Sequence, residues 1–359
     1  MPHPELDNAT RLECAPVFVA DEDGRPILAM IVKATLVVPM RGELTLAEKQ
    51  VPVDFAGKPY GEPGKSSYRI EPEVAFVKPA TDVVMLGHAH APQRGATEVA
   101  VGLRLGPVTK VARVTGDRVF EEGVFGKRIG KPQPFEKIPL QWERAFGGWD
   151  RTAEKPEHHD CEPANQVGVG FAAKRGVFVA GAPVPNIEDA DKPLKSWGGR
   201  SPPAGFGFVN PEWQPRARFA GTFDAAWERT RSPLLPKDFN RRFFNAAPEG
   251  LVAPGYLRGD EVAVALGVTP EGRWEFQLPG LAAPRCQIVL RTGAPIDLAT
   301  NLDTVILDAD TRTGTLLWRA FTPLRTGPHD VRAIKVTCED RRVARHAAGA
   351  PAASPTVKT

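Results

Sequence analysis

The strongest pattern along the chain is the run 27–38 (ILAMIVKATLVV). Every even position in it (Leu28, Met30, Val32, Ala34, Leu36, Val38) is apolar, while the odd positions admit Lys33 and Thr35. A period of two predicts a strand with one face fully buried and the other partly so. A strand from residue 16 and a turn at Asp21-Glu22-Asp23-Gly24 lead into it. Residues 50–80 are interrupted by Pro52, Pro59, Pro63, Pro72 and Pro79, which predicts a loop with short edge pieces. Alternation returns at 81–90, 98–105 and 108–114. Val99, Val101, Leu103 and Leu105 oppose Glu98, Ala100, Gly102 and Arg104, and Gly106-Pro107 turns the chain back. Residues 1–140 therefore read as an N-terminal β domain.

Residues 141–250 lose the alternation but hold five of the seven tryptophans: Trp142, Trp149, Trp197, Trp213 and Trp227. They read as an irregular, aromatic-rich connecting segment with two short helices. One runs from Thr222 as N-cap through Trp227, and the other covers 237–244 after Pro236. Ordered loops of this length are held by side-chain packing and commonly carry function. Strand patterns resume at 256–268, 273–278, 287–291, 303–307 and 315–321, so 251–340 reads as a C-terminal β region packing with the first. The basic, then Ala/Pro/Ser-rich stretch 341–359 reads as a disordered tail. The fold class expected is mainly β: two β-sandwich-like regions joined by a long Trp/Gly/Pro-rich irregular segment with short helices.

Composition sharpens this picture. Of 359 residues, 34 are Gly and 36 Pro, about a fifth together, which is incompatible with long helices. Lys and Arg number 46 against 43 Asp and Glu, a net charge of +3 that argues against a nucleic-acid partner. Cys14, Cys161, Cys286 and Cys338 are far apart and form no CxxC pair, so reduced thiols and no metal cofactor are expected. The N-terminus lacks the basic and apolar regions of a signal peptide, and the run 27–38 falls short of the ~20 residues that cross a bilayer. A cytoplasmic protein with no membrane partner is the expectation.

Several constellations invite a chemical reading. His88 and His90 share a strand face, and His158-His159-Asp160-Cys161 adds possible ligands, without the tight spacing of a zinc site. Gly168-Val169-Gly170-Phe171-Ala172-Ala173 fits G-x-G-x-x-A, yet neither an apolar strand before it nor a helix after it is indicated. Gly126-Lys127-Arg128-Ile129-Gly130-Lys131 is one residue short of a P-loop, with Pro132 where a hydroxyl belongs. No G-x-S-x-G or H-E-x-x-H occurs, while acids such as Glu188-Asp189, Asp191 and Asp260-Glu261 leave open a hydrolytic acid pair. The densest cluster mixes arginine with aromatics: Trp213, Arg216, Arg218, Phe219, Phe223, Trp227, Arg229, Arg231, Phe239, Arg241, Arg242, Phe243, Phe244 and Asn245. Trp and Arg are the residues most enriched at binding hot spots, and the same aromatics serve equally as the core of an irregular region.

Separated blocks carry a family resemblance. They are TDVVMLGHA at 81–89, Thr97-Glu98-Val99, Gly116-Asp117-Arg118, Glu143-Arg144-Ala145-Phe146-Gly147-Gly148, Pro185-Asn186-Ile187-Glu188 and Gly205-Phe206-Gly207. The series continues with Trp213 to Arg216, Ala220-Gly221-Thr222-Phe223-Asp224 with Trp227, Asp238-Phe239, RFFNAAP at 242–248 and Tyr256-Leu257-Arg258-Gly259-Asp260-Glu261. In this order they resemble the adaptor or chaperone-like proteins encoded beside spike and toxin genes of bacterial type VI secretion systems, a family labelled as a domain of unknown function. Departures at Gln166, Phe208 and Glu249-Gly250 fall in loops. The resemblance implies a non-enzymatic cytoplasmic protein without cofactor. It would bind an effector toxin, often PAAR-associated, and aid its loading onto the VgrG spike. On this reading the partner-binding residues are Trp213, Arg216, Trp227, Phe239, Arg241, Arg242, Phe243 and Asn245. The signature residues Gly87, His88, Arg144, Phe146, Gly147, Asn186, Glu188 and Asp260 are structural. The alternative is a carbohydrate-active or other β-sandwich hydrolase using an acid pair or the His88/His90 face.

Overall fold

A computed structural model describes residues 4–40, 44–124 and 126–343. Apart from the two-residue strand Thr45–Leu46, the strands of the three larger sheets are, in chain order, β1 (Glu5–Asn8), β2 (Glu13–Ala20), β3 (Pro26–Val37, which Thr45–Leu46 pairs beside), β4 (Asp82–Leu86), β5 (Glu98–Leu105), β6 (Val108–Thr115), β7 (Ile187–Asp189), β8 (Val262–Leu266), β9 (Arg273–Gln277), β10 (Arg285–Leu290), β11 (Ile296–Ala299), β12 (Asn301–Asp308), β13 (Thr313–Pro323) and β14 (Val331–Thr337). With 39% of residues in strands and 7% in helices, ladders satisfy most of the regular backbone. One sheet runs β2-β3-β13-β12-β4, a second β7-β6-β5-β8-β9 and a third β1-β14-β10-β11.

The strands of 1–140 and 251–340 are not separate bodies. β3 pairs with β13 (Ile31 opposite Arg319), β12 runs parallel to β4 (Thr304 beside Asp82), β8 pairs with β5, and β1 lies parallel to β14. Each larger sheet draws on both segments, and in the main sheet β3 finds its second partner only near the far end of the chain. Residues 27–36 are buried on both faces, including Lys33 and Thr35. A continuous apolar run covered on both faces is the pattern of a central strand, and it overrides the half-exposed face that the alternation suggests. One contiguous core joins all three sheets to Trp142, Phe206 and Trp213, and a smaller cluster gathers around Phe120, Phe146 and Phe171.

The segment 141–250 contains the one α-helix among the described residues, α1 (Ala225–Thr230). Its cap is Asp224, whose carboxylate accepts from the Trp227 amide at 2.8 Å. Thr222 does not cap, because its amide and hydroxyl are both held by Asp238 at 3.0 and 2.7 Å. The helix expected at 237–244 shortens to a 3-10 turn, Arg241–Phe244, capped by Asn240. Of the tail, 341–343 form a 3-10 turn with Val343 buried, and 344–359 lie outside the described residues.

What ties this segment to the sheets is a buried set of charges. Lys33 on β3 donates to both oxygens of Glu73 at 2.7 and 2.8 Å. Arg319 on β13 pairs with Asp303 on β12 and donates to the Glu73 carbonyl at 3.0 Å. Lys78 pairs with Asp82 on β4 at 2.7 Å and stands 3.9 Å from Glu71, which also takes Arg216. Asp82 accepts in addition from the Asn245 side chain at 2.9 Å and the Ala246 amide at 2.8 Å. All eight residues are at most 9% exposed, with four cations matching four acids. Burial pushes the Asp303 carboxyl up, and Arg319 and Lys78 pull against it. Charges withdrawn from water are tolerated only when paired and hydrogen-bonded, so these contacts dictate where 66–82 and 210–246 lie. The change Asp82→Asn leaves the Lys78 ammonium buried without its carboxylate. Urea denaturation of that variant is expected to show a loss of about 3–5 kcal/mol.

Candidate partner-binding groove

The structure divides the arginine and aromatic cluster into residues that hold the fold and residues that face solvent. Trp213 is 1% exposed and packs edge-on against Trp142, centroids 5.9 Å apart, so it offers a partner no surface. Arg216, at 7%, is consumed by Glu71 and by the carbonyls of Phe243 (2.7 Å) and Val209 (2.8 Å). These two expected contact residues are core elements. Phe239, Phe243 and Phe244 pack edge-to-face on one another, and Phe244 continues onto Phe76 at 5.1 Å, which meets Phe321 of β13 at 5.6 Å. The aromatic wedge therefore docks the segment onto the main sheet. Asn245 is used twice, donating to the Ala80 carbonyl (2.8 Å) and to Asp82. Trp227 is half-buried, its indole N–H donating to the Leu234 carbonyl at 2.8 Å, with the exposed Phe223 ring 4.8 Å away.

Arg241 and Arg242 part company. Successive residues of a 3-10 turn point about 120° apart. Arg241 reaches back to the turn before β3, with Nε 2.5 Å and Nη2 3.1 Å from the two oxygens of Glu22, and lies 5.5 Å from the Phe76 and Phe321 rings. Arg242 turns outward and stacks on Phe219 at 5.1 Å, and Arg218 stacks on the same ring at 4.8 Å. Both are exposed, and among the described residues neither has a carboxylate partner. They stand at a groove of ≈ 650 Å³ whose lining also includes Pro215, Asn245, Ala247, Glu249, Val252 and Pro254. Arg218 and Phe219 belong to the cluster seen in the sequence but not to the contact set expected from it. Glu71, far upstream, decides that Arg216 is buried and Arg218 free.

Glu188, Asn186, Phe146, Gly87 and Gly147 are built into the framework, while Arg144 and Asp260 lie exposed. Glu188 is fully buried and accepts from Arg118 (2.6 Å), Arg113 (3.2 Å) and the Leu194 amide (2.9 Å). Asn186 donates to the Thr115 carbonyl and to Asp117, and Arg144 bridges Asp117 and Asn186 at 3.2 Å. Phe146 is buried, and Asp260 is exposed with its carbonyl accepting from Gln277. Gly87 has φ +126°, and a Cβ there would stand 3.2 Å from Ala309. The glycine motif has a packing reason. Val169–Gly170 lies parallel to Phe146–Gly147, and a Cβ on Gly168 would come within 2.5 Å of the Ala145 carbonyl oxygen. No helix follows it to receive a pyrophosphate, and 126–129 is one arm of a hairpin.

His88 and His90 share one short strand near Asp310. His88 Nδ1 lies 2.8 Å from Asp310, His158 contacts Arg175 at 2.6 Å, and His159 contacts the Ala153 carbonyl at 3.0 Å. Burial holds His90 below the usual imidazole value. Among the described residues no group of three or more His, Cys, Asp or Glu side chains is placed to hold a metal ion. No helix among them is long and apolar enough to cross a membrane.

The fold and the groove define a mainly β protein with an aromatic and arginine segment docked on its central sheet. Residues 23–319 match the family described as "Uncharacterized protein conserved in bacteria (DUF2169)", and the chain belongs to that family. No curated protein and no solved structure matches the chain.

Two measurements check the assignment of roles. Trp213→Ala should cost about 3–5 kcal/mol in chemical denaturation, as for a core aromatic, where a surface residue would cost under about 0.5. The Arg241 hydrogen bond holds the Glu22 carboxyl below its ordinary value against the opposing effect of burial. A depressed carboxylate contributes stability that is present above its unfolded pKa and lost as pH falls. Glu22→Gln should therefore cost about 0.5–1 kcal/mol at neutral pH, discounted because Arg241 is partly exposed. The gap to the unmodified protein should close as pH drops below about 4.

Proposed function

We propose that this protein is a non-enzymatic adaptor that binds a type VI secretion effector in the cytoplasm and aids its loading onto the VgrG spike, the PAAR-associated toxin being its cargo. The observation that carries this reading is the pair of guanidinium groups, Arg218 and Arg242, stacked on Phe219 at the edge of a groove and lacking carboxylate partners. Arginine and aromatic surface beside a groove is what a protein contact uses, because large area is covered with little rotamer entropy lost. The ordered sequence blocks that resemble the adaptor family supply the identity of the cargo. A carrier that must release its load works at micromolar to nanomolar affinity, about −8 to −12 kcal/mol. The contact set narrows to Arg218, Phe219 and Arg242, with the exposed Phe223 and the half-buried Trp227 on the same segment.

Co-expression with the effector and spike proteins encoded beside the gene should yield a complex on affinity purification. Arg218→Glu with Arg242→Glu should reduce effector capture by about tenfold or more without lowering Tm, because both side chains are exposed. Turnover of a small substrate by the purified protein, abolished by changing one acid or histidine, would overturn the reading.

A further inference from the structure

We infer that the groove beside Phe219 is a strand-addition site for an extended, acidic segment of a partner polypeptide. The first observation is a backbone one. The segment 251–253 continues the main sheet beyond β4: the Val83 amide donates to the Leu251 carbonyl and the Ala253 amide to the Thr81 carbonyl, both at 2.9 Å. Asp82 and Val252 are directly opposed in this antiparallel bridge. With the bonds made by the residues on either side, the N–H and C=O of Val252 itself point away from β4. Among the described residues neither has a hydrogen-bond partner, and Val252 lines the groove. The sheet thus ends in one open donor and acceptor pair facing a concave surface, the arrangement that an added strand completes.

The second observation is electrostatic. Arg218 and Arg242 hold two guanidinium groups against one aromatic ring at the same groove, and neither is neutralised. Arg216, also in the lining, is paired with Glu71. Glu249 is the one carboxylate in the lining, a single negative charge set against the two guanidinium groups of Arg218 and Arg242. The free charge that remains is positive, so the complementary occupant carries acids. An extended chain places every second side chain on one face, so acids two residues apart meet the two arginines while the main chain bonds Val252. Pro215 offers an apolar wall that reads no sequence.

This site rests on the reading that the protein holds a polypeptide, and its test is separate. A labelled peptide of alternating valine and aspartate is followed by fluorescence anisotropy, alongside its valine–lysine counterpart and a form N-methylated at alternate backbone positions. The aspartate peptide should bind, weaken with salt, and lose about tenfold or more in affinity to Arg218→Gln with Arg242→Gln. The lysine and N-methylated peptides should bind at least about tenfold more weakly than the aspartate one. Equal binding of the lysine or the N-methylated peptide, or no binding of the aspartate one, overturns the site. Peptide binding with no effector captured upholds the site and removes the adaptor reading. Effector capture equal in the unmodified protein and the double variant, with no peptide bound, removes the site and moves effector binding to another surface of the protein.

Discussion

Eight buried charges of balanced sign hold this molecule to one arrangement. Lys33, Arg319, Asp303 and Asp82 stand on four adjacent strands of the main sheet, while Glu71, Glu73, Lys78 and Arg216 come from segments that have little ladder of their own. Apolar packing alone is indifferent to small slips of an irregular loop. A carboxylate at a site from which water is excluded is not, because any slip leaves a charge unpaired at a cost of several kcal/mol. The aromatic wedge of Phe239, Phe243 and Phe244 adds area, and the charge pairs add address.

The exposed groove inherits its geometry from that interior. Arg216, fixed by Glu71 and two carbonyls, sits two residues before Arg218, and Asp82 grips Asn245 and Ala246 just beyond Arg242. The free arginines are thus positioned by the buried groups next to them in the chain. Asp82 also opposes Val252, so the same carboxylate-bearing residue lies behind both features of the groove: the open backbone pair and the placement of Arg242.

Much of the architecture was legible in the chain. The alternation at 98–105 and 108–114, with Gly106-Pro107 between them, is a β-hairpin whose register follows the turn, with Leu105 opposite Val108. The absence of alternation across 141–250 marked a region held by side chains. Pairings that span the chain were not legible, because period two says that Ile31 is in a strand and nothing about Arg319 being its neighbour. Arg216 and Arg218, or Arg241 and Arg242, are chemically alike, and their fates were decided by Glu71 and Glu22, which no local spacing announces. The glycine motif misled for the opposite reason. Close backbone approach demands glycine whether the neighbour is a phosphate or, as at Gly168, another stretch of the same chain.

The pairing of β3 with β13 also sets a timetable for biogenesis. When β3 emerges from the ribosome its hairpin mate β2 is already present, but the strand that covers its other edge is the next to last of the fourteen. At bacterial translation speeds that interval is on the order of tens of seconds. Through all of it one of the most apolar strands in the protein shows an open edge to the crowded cell. A molecule proposed to bind and deliver another chain thus passes through a stage in which it needs shelter itself.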